Sequence, residues 1–188
     1  SVHREENVDH RENLKLILDS LRALKERFGL PLIVSTHPRT RHRLETSGIN
    51  TTKEKIRFLK PFGFLDYNRL QQDCFCAISD SGTISEESAV LGFPAITIRK
   101  AIERPEALDS GSIILTGLDP DIVVHSVEMA TEESHIVAAS EREIPEEYRV
   151  RNTARRVVKL ILGTARLADR WQNLDDFSRY EWDRNEST

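Results

Sequence analysis

The run SDSGTISEES, Ser79 to Ser88, sets a Ser-Gly pair between a short apolar stretch, CFCAIS, and a segment of helical pattern that opens with two glutamates. A strand, a tight turn and a helix N-terminus in that order leave backbone N–H groups without intrahelical partners, and the positive helix end adds to the field there. This is anion-binding chemistry. Gly82 lets a phosphate approach the backbone, and Ser81 and Thr83 add hydroxyl donors, so a diphosphate needs no lysine at this turn. Glu87 falls one helical turn beyond Thr83, where a carboxylate would accept both hydroxyls of a ribose. In ERPE, Pro105 suits the first turn of a helix, and Arg104 just before it is placed to reach a phosphate or a carboxylate. His3, beside Arg4 and two glutamates, has the side chain that titrates near neutrality and stands as an acid or base; His37 before Pro38 is of the same kind. Each feature also has a plainer reading. Ser81 would cap a helix whose first turn favours Glu86 and Glu87, Glu87 would be solvated, Arg104 would join a surface ion pair, and His37 would end a strand. On pattern alone both readings stand.

The elements around these residues follow from periodicity. Leu14, Ile17, Leu18, Leu21, Leu24 and Phe28 recur at helical spacing, with Asp9 as N-cap and Gly29 as the stop. LPLIVSTHP is a β-branched run ended by Pro38, followed by a basic helical stretch from Arg39 to Glu45 closed by Gly48. The alternation repeats: KIRFLK as strand, FLDYNRLQQD as helix from about Asp66, CFCAIS as strand, TISEESAVLG as helix, FPAITIR as strand. A short helix over Pro105 to Asp109, the strand SIILTG, a long helix from about Pro120 to Thr131 and a last helix from Asn152 to Leu162 complete the pattern. Continuous apolar strands alternating with helices indicate a parallel sheet covered on both faces, a doubly wound α/β domain. In such sheets ligands bind beyond the carboxyl ends of the strands, which gathers His3, Arg4, His37, Asp80 to Thr83, Arg99, Glu103 and Arg104 along one edge. The opening SVHREEN reads as the end of a strand, so the expectation is a first, central strand present only as a stub.

With 188 residues the chain is long enough for one domain with a full core, and a net charge of −4 argues against a general binder of nucleic acid or membrane surface. The domain is expected over 1–163, with 164–188 a polar tail whose Trp171, Phe177, Tyr180 and Trp182 pack onto this or a neighbouring domain. The sequence contains neither G-x-x-x-x-G-K-[ST] nor G-x-G-x-x-G, which argues against a Walker-type nucleotide site and an ordinary dinucleotide site. Cys74 and Cys76 read as buried free thiols on one side of a strand, rather than as a disulfide or a metal site. No apolar run approaches the ~20 residues of a membrane span, and no signal-peptide pattern is present, so a reducing cytoplasm is the expected compartment.

HREEN, STHPRT, SDSGTISEES and ERPEA, in that order and at those separations, closely resemble the C-terminal half of the non-hydrolysing UDP-N-acetylglucosamine 2-epimerases. The resemblance runs from Ser1 to about Leu162. It implies a two-domain fold of the glycosyltransferase-B type, two Rossmann-like domains across a cleft, with this chain supplying the UDP-binding one. By similarity, Ser81 and Gly82, with Thr83 and the helix end that follows, hold the diphosphate; Glu87 takes the ribose hydroxyls; Arg104 helps to hold the nucleotide sugar. His3 matches the family histidine near the reacting centre. Arg4 and His37 match positions that in some members touch a second, regulatory UDP-sugar.

The family reaction inverts C2 of a UDP-2-acetamido sugar by eliminating UDP to a glycal and adding it back, with no metal or other cofactor. Its key carboxylates come from the N-terminal domain, which this sequence lacks, so the chain alone is expected not to turn over. The intact protein is expected to be a homodimer. STHPRTRHRLE and KPFGFLDYNRLQ look most like the branch that forms UDP-N-acetyl-L-fucosamine for capsule or O-antigen. The alternatives are interconversion of UDP-N-acetylglucosamine and UDP-N-acetylmannosamine, the donor domain of a glycosyltransferase, and a stand-alone UDP-binding module.

Overall fold

The computed structural model describes residues 1–46, 56–101, 103–136, 144–165 and 167. They fall into two units, Ser1–Arg149 and Val150–Thr188. The first carries the elements α1 (Glu5–Val8), α2 (Arg11–Phe28), β1 (Ile33–Ser35), α3 (Pro38–Thr46), β2 (Arg57–Leu59), α4 (Phe64–Asp73), β3 (Ala77–Ser79), α5 (Ile84–Leu91), β4 (Ala95–Thr97), α6 (Pro105–Asp109), β5 (Ile114–Leu115), α7 (Pro120–Ile136) and a 3-10 turn, Glu146–Arg149. The second carries α8 (Thr153–Thr164).

All strand pairs are parallel. β1 pairs with β2, Val34 opposite Phe58, and β4 lies between β3 and β5, with Ile96 opposite Ile78 and Ile114. Ser1 and Val2 lie between the two sheets: Val2 bridges to Thr36, the Ser1 amino nitrogen donates to the Ile78 carbonyl at 2.7 Å, and the Asp80 N–H donates to the Ser1 carbonyl at 3.2 Å. The order across the array is therefore β2, β1, Ser1–Val2, β3, β4, β5. An apolar cavity of about 230 Å³ is lined by Ser1 and Val2 together with Leu21, Phe28, Val34 and Ile78.

Strand alternation at β4 shows how both faces are covered. Ile96 joins a cluster with Ile17 and Leu24 of α2 and Val123 and Val127 of α7, whereas Ala95 joins one with Ile84 of α5 and Ala107 of α6. Ile96 is fully buried, and all three β4 residues are buried, as expected of a strand with helices on each side. The α2 stripe faces inward as its spacing requires, and Gly29 ends the helix at φ 65°, a left-handed conformation that any other residue adopts with strain. The expectation of a doubly wound α/β chain with parallel strands holds.

Several local expectations change. Asp9 does not cap α2: His10 occupies that position without a side-chain cap, and the Asp9 carboxylate is taken by Arg39 and Arg43 of α3. The stretch read as a strand end passes at once into a helical turn, Glu5–Val8, around buried Asn7 and Val8. β3 starts only at Ala77, so Cys74 and Cys76 do not share a strand face. Cys74 packs toward the Phe93 cluster and Cys76 toward the Ile98 cluster; both are half-buried free thiols, and burial pushes the Cys74 pKa up to about 11. α7 runs one turn beyond Thr131. The expected stop at Gly48 and the aromatic residues of the tail lie outside the described residues. No helix among the described residues is long and apolar enough to cross a membrane.

Candidate functional site

The site is built around Asp80, the residue that follows β3 and is fully buried. A buried carboxylate is tolerated only when its lone pairs are filled, and here the N-terminal segment fills them. The backbone N–H of His3 donates to both oxygens at 3.1 Å, that of Arg4 to Oδ2 at 2.9 Å, and Asn7 Nδ2 to Oδ2 at 3.0 Å. His3 Nδ1 lies 3.0 Å from Oδ1. Burial alone would raise the Asp80 pKa, but the donors from His3, Arg4 and Asn7 together outweigh it and hold the carboxyl at about 2. Asp80 is thus an anion at neutral pH, and its carbonyl accepts a further bond from Arg4 Nε at 2.9 Å.

From Asp80 the chain turns through Ser81 and Gly82 into α5. Thr83 occupies the N-cap position with φ −85° and ψ −7° and makes no side-chain cap, while Ser81 Oγ accepts the Thr83 N–H at 3.3 Å just ahead of the helix. The Ser81 N–H donates to Ser79 Oγ at 3.0 Å, and Ser81 Oγ sits 3.0 Å from Thr83 Oγ1. Thr83 Oγ1 donates to Glu87 Oε1 at 2.7 Å, as the one-turn spacing requires; the other Glu87 oxygen accepts from Gln71 Nε2 at 2.7 Å. Both bonds hold the Glu87 carboxylate in one place, and a carboxylate has lone pairs left for further donors.

Two guanidinium groups converge on the turn. A Cβ at Gly82 would lie 3.1 Å from Arg104 Nη1 and 3.7 Å from Arg4 Nη2. Arg104 is held by an ion pair from Nε to Glu86, and Arg99, 5% exposed, makes a two-pronged pair with Glu103 at 2.7 and 3.0 Å. Glu103 also lies 3.6 Å from Arg4 Nη2 and 4.0 Å from Arg104 Nη1. The Arg99 hydrogen bonds, supported by the charges of Arg4 and Arg104, keep the Glu103 carboxyl at about 2. The carboxylates therefore act as struts that fix the arginine forks beside a turn rich in donors. Donors of these kinds in such an arrangement can hold an anion.

The structure thus brings together Ser81, Gly82, Thr83, Glu87, Arg4 and Arg104, with His3 tied in through Asp80. It does not tie in His37. That exposed ring, between β1 and α3, accepts the Arg39 N–H at 3.3 Å, and no hydrogen bond or ion pair among the described residues links it to the cluster. His10, His42, His125 and His135 are exposed on helices or at their ends. Sequence reasoning placed Asp80 at the strand end but gave it no role, and it missed Asn7, Gln71 and the Arg99–Glu103 pair as supports. The available signal was a charged or amide residue at the edge of a motif, where burial is invisible until the fold is known. Among the described residues no group of His, Cys, Asp or Glu is placed to hold a metal ion.

Residues 1–162 match the family model described as UDP-N-acetylglucosamine 2-epimerase. A curated relative of that name from Methanocaldococcus jannaschii is 34% identical over 132 residues, which are 69% of this chain and 36% of the relative. A UDP-N-acetylglucosamine 2-epimerase structure from Rickettsia bellii superposes with a TM-score of 0.73 at 36% identity, covering 90% of this chain and 44% of that one. The M. jannaschii UDP-GlcNAc 2-epimerase in complex with UDP-GlcNAc and UDP gives a TM-score of 0.73 at 30% identity, covering 86% of this chain and 43% of that one. The chain thus spans less than half the length of the relatives it matches.

Proposed function

Because the chain belongs to the UDP-N-acetylglucosamine 2-epimerase family over residues 1–162, we propose that it is the UDP-binding half, 1–163, of an enzyme that inverts C2 of a UDP-2-acetamido sugar. The observation that carries this is the convergence of the Arg4 and Arg104 guanidinium groups on Gly82, at the uncapped start of α5. In this reading Ser81, Gly82 and Thr83 hold the diphosphate with those two arginines, and Glu87 accepts the ribose hydroxyls. His3 stands at the reacting centre. The M. jannaschii structure is a complex with UDP-GlcNAc and UDP, which supports a nucleotide ligand of this kind.

The proposed chemistry suits these groups. Breaking the C1–O bond leaves extra negative charge on the β-phosphate, and preorganised N–H, hydroxyl and guanidinium donors stabilise it without a metal. Proton exchange at C2 then needs a base and an acid on opposite faces, and the carboxylates for that step belong to the half of the family fold outside this sequence. A protein that joins this sequence to such a half, incubated with UDP-N-acetylglucosamine in D2O, incorporates deuterium at C2 of both epimers. Transfer of the sugar to an acceptor with no exchange at C2 overturns the epimerase reading. The 188-residue chain alone binds UDP and gives no exchange.

Glu87→Ala weakens UDP binding to the chain, with uridine affected as much as UDP, because the carboxylate serves the ribose hydroxyls that both ligands carry. It also strands the amide of Gln71, which is 3% exposed, and lowers stability by about 1–3 kcal/mol. Calorimetric titration and urea denaturation measure the two effects; unchanged uridine affinity removes Glu87 from the nucleotide site.

STHPRTRHRLE and KPFGFLDYNRLQ favour a second reading of the substrate, formation of UDP-N-acetyl-L-fucosamine from its C2 epimer for a surface polysaccharide. The relatives from M. jannaschii and R. bellii are named for UDP-N-acetylglucosamine, which favours that sugar instead. Comparing kcat/KM for the two sugars separates them. On either reading the active protein is a homodimer that works in the cytoplasm.

A further inference from the structure

We propose that Asp80 is a positioning residue: its carboxylate fixes the His3 imidazole as the Nδ1–H tautomer and leaves Nε2 as the ring's basic nitrogen. This rests on the assignment of His3 to the reacting centre, and it goes further by naming which nitrogen exchanges a proton and what determines it.

An ionised carboxylate only accepts hydrogen bonds, so the ring nitrogen 3.0 Å from Asp80 Oδ1 must carry its hydrogen toward that oxygen. The geometry leaves little freedom on either side. The His3 backbone N–H donates to the same carboxylate, Asp80 is fully buried, and Oδ2 is committed to the Arg4 N–H and Asn7 Nδ2. The Asp80 backbone is fixed as well, its N–H bonded to the Ser1 carbonyl and its carbonyl to Arg4 Nε. The ring itself remains 43% exposed. Its rim is therefore open to a ligand while its Nδ1 edge is anchored. When Nε2 takes a proton, Asp80 already faces the resulting cation, so charging the ring requires no rearrangement.

The same residue immediately precedes Ser81 and Gly82, so one side chain couples the acid–base nitrogen to the anion-binding turn. Arg4, next to His3, is held by the Asp80 carbonyl on one side and reaches toward Gly82 on the other. The histidine, the arginine and the turn are registered to one another through Asp80.

The isosteric variant gives a sharp test. In Asp80→Asn the amide oxygen has to take the Oδ2 position, because the Arg4 N–H and Asn7 Nδ2 point only there and the His3 N–H, now shared between both oxygens, reaches it as well. The NH2 group then faces His3 Nδ1, which must present its lone pair, and the ring switches to the Nε2–H tautomer. Long-range 1H–15N correlation on the 15N-labelled chain, above the usual histidine pKa, reads the tautomer directly, with His3→Gln identifying the signal among six histidines. Wild type is expected to show protonated Nδ1 and unprotonated Nε2, and Asp80→Asn the reverse. A wild-type ring with Nε2–H, or one averaging rapidly between tautomers, overturns the inference, so the result does not depend on the variant folding. UDP titration of the same wild-type sample tests the nucleotide site separately, and either measurement can fail without the other. In a protein carrying both halves, Asp80→Asn lowers kcat by roughly 100-fold or more, with little change in KM. Unchanged kcat beside a switched tautomer removes the positioning role.

Discussion

Replacing Arg104 by alanine is expected to weaken UDP binding to the chain by roughly 10- to 100-fold, the range given by loss of a charge-assisted hydrogen bond of about 1.5–3 kcal/mol. The lower end applies if Arg104 contributes only its field, and the upper end if its fork contacts a phosphate oxygen. Two features push toward the upper end. The guanidinium is 29% exposed, so solvent screens it less than a free surface charge, and its Nη1 lies where it would press on a Cβ at Gly82. Removal also strips Glu86 of its ion-pair partner and leaves a half-buried carboxylate beside the anion site. Repulsion then adds to the missing attraction. Arg104→Lys keeps the charge but not the planar fork and falls between the two, while Glu86→Gln with Arg104 intact does not reproduce the loss. Calorimetric titration with UDP at fixed salt measures all three, and an Arg104→Ala affinity equal to wild type removes Arg104 from the site.

Parts of this arrangement are legible in the order of residues. The short helix Pro105–Asp109 has the expected bounds because proline fixes its start and because Arg104, before proline, is held out of the helix at φ −128° and ψ 75°. The spacing of Thr83 and Glu87 foretells their contact, since residues four apart meet on one helix face. The role of Asp80 has no such signal. Its side-chain partners His3, Arg4 and Asn7 lie 73 to 77 positions away in the chain, so no local period relates them. The support that Gln71 gives Glu87, across the gap from α4 to α5, is hidden for the same reason: helical spacing shows which face a residue occupies, not what the next element sets against it. The cysteine pair misleads because apolar character suggests a strand from Cys74 onward, while α4 ends only at Asp73 and β3 begins at Ala77. Where covalent spacing sets the geometry, as in turns, caps and helix faces, residue order is a reliable guide; where a buried polar group recruits distant backbone, packing decides.

Asp80→Ala is expected to lower stability at neutral pH by about 3–5 kcal/mol, the largest effect of any single replacement in the site. The methyl side chain leaves the N–H groups of His3 and Arg4 and the amide of Asn7, 2% exposed, without acceptors, and it detaches Ser1 to Asn7 from the end of β3. The sign of the acid dependence follows from the Asp80 pKa, held at about 2 in the fold against 3.8 for an ordinary aspartate. A carboxyl whose folded pKa is depressed contributes stability that is complete above the unfolded value and is lost as the pH falls toward the folded one. For Asp80 that contribution is about 2 kcal/mol, lost between roughly pH 5 and 2. Asp9 and Glu103, also held at about 2, lose their ion pairs in the same window, so the wild-type acid slope contains all three. Subtraction isolates Asp80: urea denaturation of wild type and Asp80→Ala, followed by circular dichroism at about pH 7 and pH 3, should show the gap between them narrowing by about 1 kcal/mol, since pH 3 lies midway through the window. A gap that stays constant with pH would mean that the side chain contributes packing but no charge, and the tautomer assigned to His3 would lose its physical basis.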